Sequence, residues 1–193
     1  MIPVLVEGEP DAVIAARLLA LVGLEIGQIY GRRGKDHLDN RLPSYNQAAR
    51  YSKWLVLRDL NGDAACAAEL VADLLGRRSQ GLCLRIAVRA SEAWLMADKE
   101  RISAFLSVPA NRVPLNPDAL ANPKREMVNL ARHSRRRAIR EDMVPELGVS
   151  SQVGPAYTSR LVEFASTFWR PQVAAIQSES LARSIAALER WAA

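Results

Sequence analysis

The chain has 193 residues, of which 49% are hydrophobic and 24% charged, enough length and apolar content to bury a core without disulfide or metal staples. Its formal charge of +5 is local, because residues 1–100 balance 13 Lys/Arg against 13 Asp/Glu while residues 101–193 hold 13 against 8, and the stretch 123–140 alone carries seven basic residues against Glu126. There is no long apolar run to span a membrane and no basic segment ahead of Ile2–Val6 to form a secretory signal, and Cys66, Cys83, His37 and His133 are too few for a disulfide framework or a thiolate zinc site, so a reduced, cytoplasmic protein is expected.

Ile2 to Val6 is a short apolar run that reads as a buried strand. Pro10 and Gly23 bracket a helix that carries Ile14, Leu18, Leu21 and Val22 at helical spacing. Ile26 to Tyr30 is a second strand, ended by the basic loop Gly31-Arg32-Arg33-Gly34-Lys35. Pro43 opens a predicted helix that runs to about Lys53. Trp54 to Leu57 is a third strand, and Asp63 stands where the N-cap of a helix Ala64 to Leu75 would, with Gly76 closing it. Leu82 to Val88 is a fourth strand, and Ser91 is the expected cap of the helix after it. This alternation predicts an α/β fold with a parallel sheet flanked by helices. After about residue 98 the strands stop, and segments 99–107, 124–140, 158–168 and 179–192 read as helices. Residues 1–98 are therefore expected to form the α/β domain and residues 99–193 a helical extension packed on it, since no Gly/Ser-rich joint separates them.

Ligands of open parallel sheets sit outside the carboxyl ends of the strands, and acids recur there. Glu7 follows the first strand, Asp59 follows the third with Asn61 and Asp63 at two-residue spacing, and Glu92 follows the fourth with Asp98 beyond it. Oxygen-only ligands with few histidines suit a hard cation such as Mg²⁺ or Mn²⁺. Each acid also has a structural use as a helix cap. Asp59-x-Asn61-x-Asp63 begins like a calcium loop, but Ala64 and Leu70 stand where that loop needs Gly and Glu. Gly31-x-x-Gly34-Lys35 is too short for a phosphate-binding loop, and neither a dinucleotide-binding glycine motif nor a serine-hydrolase elbow is present.

The basic segment has its own pattern. Arg125, Arg132, Arg136 and Arg140 fall at spacings of 7, 4 and 4, which places them on one face of a continuous helix, with Met127, Leu130, Ala131 and Ala138 opposite. Such a face suits phosphate contacts, and Arg32, Arg33 and Lys35 extend the track. A plain solvated face is the alternative, and Arg outnumbers Lys 22 to 4 throughout, so arginine richness alone says little. No aromatic series interleaves these basics to stack single-stranded bases.

Val4-Leu5-Val6-Glu7-Gly8-x-x-Asp11 and Val56-Leu57-Arg58-Asp59-Leu60-Asn61-Gly62-Asp63 resemble the first and second motifs of the Toprim domain of primases, topoisomerases and OLD-type nucleases. Ser91-Glu92-Ala93-Trp94-Leu95-x-Ala97-Asp98, Pro123-Lys124 and Ser180-Leu181-x-Arg183 are similar to a small Toprim-like family, some of whose members are encoded beside ABC-type ATPases, as in phage-defence systems. The resemblance covers about the first half of the chain and implies Mg²⁺- or Mn²⁺-dependent chemistry on phosphodiesters. It implies Glu7 as general acid/base or bridging carboxylate, Asp59 and Asp63 with Asn61 as ligands of one ion, Glu92 as ligand of a second, and Lys124 as the neutraliser of the scissile phosphate. Asn61 departs from the family's usual Asp and removes one charge. The chain is short for a topoisomerase or a complete primase, and an OLD-type ATPase would have to be a separate protein. The expected function is a metal-dependent nuclease working on nucleic acid in phage defence or DNA repair. The alternatives are a non-catalytic subunit that binds an ATPase partner, and a basic protein that binds nucleic acid without chemistry.

Overall fold

The computed structural model describes residues 1–193. The first half alternates β1 (Ile2–Val6), α1 (Glu9–Leu21), β2 (Ile26–Gly31), α2 (Lys35–Ala48), β3 (Trp54–Asp59), α3 (Ala67–Leu74), β4 (Leu82–Ala87) and α4 (Ser91–Ala97). The four strands form one all-parallel sheet in the order β2-β1-β3-β4. The second half is helical: α5 (Lys99–Leu106), two single 3₁₀ turns, α6 (Pro123–Arg132), α7 (Arg137–Met143), α8 (Tyr157–Thr167), α9 (Pro171–Ala174) and α10 (Glu179–Ala192). The predicted α/β class and the parallel sheet are both present.

Strand alternation sorts the apolar side chains onto two faces. Leu5, Trp54, Val56, Leu82, Leu84 and Ile86 point to one side and join Leu38 and Leu42 of α2 and Leu70 of α3. Val4, Val6, Leu55, Leu57, Cys83 and Ala87 point to the other, where α1 and the helices of the second half complete the core. The second face gathers 35 buried side chains against 12 on the first, so the helical half supplies most of the cover on that side. All seven residues of α4 are buried. Trp94 at its centre donates to Ser180 Oγ at 2.7 Å, while Trp169 Nε1 donates to the Trp94 carbonyl at 3.1 Å.

Three predicted helices differ from what forms. α2 begins at Lys35 and contains Pro43 instead of opening on it. Leu38 and Leu42, four apart, are its buried stripe, and polar residues elsewhere hide the periodicity. α3 begins at Ala67 with Cys66 at the N-cap, because the Asp63 side chain is drawn to Arg58 and Lys35 instead. The helix expected over 124–140 breaks after Arg132, and α7 restarts with Arg136 at its N-cap. Ser134 causes the break chemically: its carbonyl accepts from Arg140 Nη1 at 2.6 Å and its hydroxyl accepts from the Arg136 N–H at 3.0 Å. The four arginines therefore do not share one helix face, and Ala138 is exposed.

Asp98 also lies away from the strand ends, at the far end of α4. It is fully buried, caps α5, and accepts from Arg170 through the backbone N–H, Nε and Nη2 at 2.9, 3.0 and 2.7 Å. Its work is to tie α4 to the turn before α9.

Candidate active site

Because every strand runs the same way, all four carboxyl ends open on one edge. β1 and β3 pair in register with Val6 opposite Leu57, so Glu7 leaves the sheet level with Arg58, one residue short of Asp59. The Asp59 N–H donates to Glu7 Oε1 at 2.7 Å. β4 pairs with β3 as far as Asp59 opposite Ala87, and the chain then turns into α4. The Ser91 N–H donates to Asp59 Oδ1 at 2.9 Å, and the next residue, Glu92, points inward and accepts from the Tyr157 hydroxyl at 3.1 Å. The sheet edge thus gathers Glu7, Asp59 and Glu92, as the sequence predicts.

A fourth carboxylate joins them from α1. Asp11 is 6% exposed, accepts from the Gly8 N–H at 2.9 Å and from Ser91 Oγ at 2.6 Å. Burial raises its pKa to about 7, the charges of Glu92 and Glu7 add to the rise, and the two hydrogen bonds oppose it. Asp59 is raised well above the usual carboxylate range, first by burial and then by Asp11, Glu92 and Glu7. Glu7 is raised by burial against the pull of the Asp59 N–H and Arg58. The Tyr157 hydroxyl is pushed up by burial and by Glu92, so it stays a donor. Like charges gathered in a poorly hydrated place resist ionising together.

Beside this group lies an ion-pair network the sequence does not announce. Arg58 has a side chain 1% exposed and reaches three carboxylates: Asp39 at 2.9 Å, Asp63 at 2.7 Å and Glu7 at 3.3 Å. Lys35 meets the other oxygen of Asp63 at 2.5 Å. The Lys35 hydrogen bond, followed by that of Arg58, holds the Asp63 carboxyl below its usual range. Asp63, expected as a metal ligand, has both oxygens taken by the chain's own cations. Asn61 adopts a left-handed φ of 51°, its N–H donating to the Arg89 carbonyl at 2.7 Å and its carbonyl accepting from Arg89 Nη1 at 2.9 Å. Its amide side chain remains free beside Asp59.

The oxygens divide cleanly. Both oxygens of Asp11, Asp39 and Asp63 accept hydrogen bonds within the protein. Glu7, Asp59 and Glu92 each use Oε1 or Oδ1 internally and leave Oε2 or Oδ2 with no donor and not sealed from solvent. A cleft of about 340 Å³ opens next to Asp59, and Asn61, Arg89, Asn122, Lys124 and Gln152 are among its lining residues. Lys124 lies 4.0 Å from Glu92 Oε1 and stays half exposed, while Arg89 has no carboxylate partner. Arg89, Gln152 and Asp11 are absent from the sequence-derived set. The signal for Asp11 is its place three residues after the strand-end Gly8, where it accepts the N-cap N–H. A larger cavity of about 920 Å³ runs along the outer edge of β4 against α10, and it holds none of these carboxylates.

The remaining basic candidates are dispersed. Arg32 pairs with Glu9 at 3.1 Å, Lys35 with Asp63, and Arg33 is exposed. Arg125 and Arg132 are exposed on α6, Arg136 starts α7, and Arg132 and Arg140 share a surface hollow with Glu141 and Glu146, which dilutes their charge.

For a hard divalent ion the donor type fits, since the three free oxygens are carboxylate oxygens at one sheet edge. The side chains are not drawn into a closed coordination sphere, and no group of three or more His, Cys, Asp or Glu stands at ligating spacing. The fold and edge define an α/β protein with an acidic site beside a cationic cleft. No protein-family model, curated protein or solved structure matches the chain.

Proposed function

We propose that the chain is a Toprim-like nuclease that uses Mg²⁺ or Mn²⁺ to cut nucleic-acid phosphodiesters. The observation that supports this reading is the set of carboxylate oxygens left without a donor on Glu7, Asp59 and Glu92 at one sheet edge, with Asp59 lining a cleft that Arg89 and Lys124 also line. Asp59 and Glu92 would hold the ion, and Glu7 would share it. When bound, such an ion lowers the pKa of water and neutralises phosphate charge. Glu7, with its proton affinity raised by burial, would take the proton from attacking water. Lys124 and Arg89 supply fixed positive charge to the phosphate in the cleft. The exposed arginines of α6 and α7 would hold the flanking backbone.

Cleavage of plasmid DNA and of RNA should require Mg²⁺ or Mn²⁺ and should be lost in Asp59→Ala and Glu7→Ala. Wild-type cleavage rates in both variants would end this reading. The rival is a non-catalytic subunit that binds an ABC-type ATPase, favoured by the engagement of Asp63 with Arg58 and Lys35, which takes one carboxylate out of the acidic site. Metal-independent association with such an ATPase, together with no cleavage in its presence, would select it.

A further inference from the structure

β4 is the last strand of the sheet, paired with β3 on one side and with no strand on the other. The carbonyls of Gly81, Ala87 and Arg89 accept from the N–H groups of Trp54, Leu60 and Asn61 on the β3 side. Successive residues of a strand turn their N–H and C=O to opposite edges, so those of Leu84 and Ile86 face outward, and no group of the protein bonds them. Such an edge is a template for a further strand. The cavity of about 920 Å³ runs along it, lined by Arg85, Ile86 and Val88, by Ala67 at the start of α3, and by Leu115 and Ile176, which are 75% and 77% exposed. Its charges are unequally satisfied. Both oxygens of Asp118 accept, from Ser178 Oγ at 2.8 Å and from the Ser180 N–H at 2.9 Å, and Glu179 pairs with Arg183. Arg85 has Ser184 Oγ at 3.5 Å and no carboxylate. Burial lowers its pKa, and Arg78 and Arg190 lower it further.

We infer that the outer edge of β4 docks an extended, acidic segment of another protein, which joins the four strands as a fifth and sets a carboxylate beside Arg85. Main-chain hydrogen bonds to Leu84 and Ile86 supply affinity, and alternate side chains supply specificity. Residues opposite one another in a sheet share a face. A segment that alternates acidic with β-branched residues therefore brings its acids to the face of Arg85 and its apolar side chains to the face of Leu84 and Ile86. Charge selects this occupant over a second copy of the chain. A copy paired antiparallel, with its Ile86 opposite Leu84, sets Arg85 against Arg85, and like charges directly opposite destabilise a sheet.

A fluorescein-labelled peptide of alternating Val and Glu, about six residues long, tests this by fluorescence anisotropy with the full chain. It should bind, and the counterpart with Lys for Glu should bind at least about tenfold more weakly. Arg85→Glu should reverse that preference. If that variant does not fold, Arg85→Gln, which keeps much of the length and drops the charge, should still erase it. N–H groups of an added strand face β4 only at alternate residues, so N-methylation of one alternate set in the peptide should abolish binding and N-methylation of the other should leave it unchanged. Failure of the Val/Glu peptide to bind would overturn the inference, as would equal effects of the two N-methylated sets or a charge preference that persists in Arg85→Gln. A wild-type dimer in solution that the peptide disperses would overturn it by giving the edge to a second copy.

Discussion

Asp11 is the carboxyl through which the charge balance of the site can be measured. Its pKa rises from the ordinary 3.8 to about 7 because burial and the charges of Glu92 and Glu7 disfavour ionisation. The native state therefore keeps a proton that the unfolded chain releases. The stabilisation is complete below the unfolded value of 3.8 and is lost as pH climbs towards about 7. A shift of about three units corresponds to roughly 4 kcal/mol across that window. Asp11→Asn removes the titration and keeps the geometry: the amide oxygen accepts from the Gly8 N–H, and the amide nitrogen donates to the Ser91 hydroxyl, which accepts as readily as it donates. Urea unfolding of both proteins from about pH 4 to about pH 8 should show the variant gaining on wild type by up to about 4 kcal/mol as pH rises. In a chain of this size that is roughly 10 °C in Tm. Excess Mg²⁺ should narrow the gap at about pH 8 by favouring the charged carboxylates, and do little at about pH 5. A difference between the two proteins that stays flat to about 0.5 kcal/mol over the range would refute the placement of Asp11 in a crowded acidic group.

Removing the buried carboxylate outside the site should act on the fold alone: Asp98→Ala uncaps α5 and leaves Arg170 with Glu100 as its one carboxylate partner, and should cost about 1–3 kcal/mol by urea unfolding, whereas unchanged stability would contradict the tie. Lys124→Ala should leave stability within about 0.5 kcal/mol, because the side chain is half exposed and only 4.0 Å from Glu92, yet lower metal-dependent cleavage by about 100-fold; unchanged turnover would remove Lys124 from the site. If α6 carries backbone contacts, Arg125→Ala with Arg132→Ala should reduce the salt slope of nucleic-acid binding by about two, and an unchanged slope would exclude that helix.

Two kinds of sequence signal proved legible for different reasons. The strands were readable because runs such as Trp54–Leu57 and Leu82–Leu84 are buried on both faces, as in a covered parallel sheet. The acids at their carboxyl ends followed from topology, since parallel strands must deliver successive strand ends to one edge. The helix boundaries were less legible. A stripe of only Leu38 and Leu42 on α2 gives little periodicity to read. The break at Ser134 depends on a hydrogen bond from Arg140 six residues later, which no local propensity encodes.

By itself, then, the sequence determined the α/β class, the parallel order of alternating elements and the meeting of Glu7, Asp59 and Glu92, because each follows from local hydrophobic pattern and chain direction. Only the tertiary structure decided how those charges are shared. Arg58 stands next to Asp59 in the chain, yet its partners Glu7 and Asp39 lie 51 and 19 residues away. Asp11 is brought to Asp59 through Ser91, 80 residues on. An ion pair or a shared proton depends on distances of a few ångströms between side chains remote in sequence. Packing therefore separated a carboxylate that holds the fold, such as Asp63, from one that keeps an oxygen free, such as Asp59.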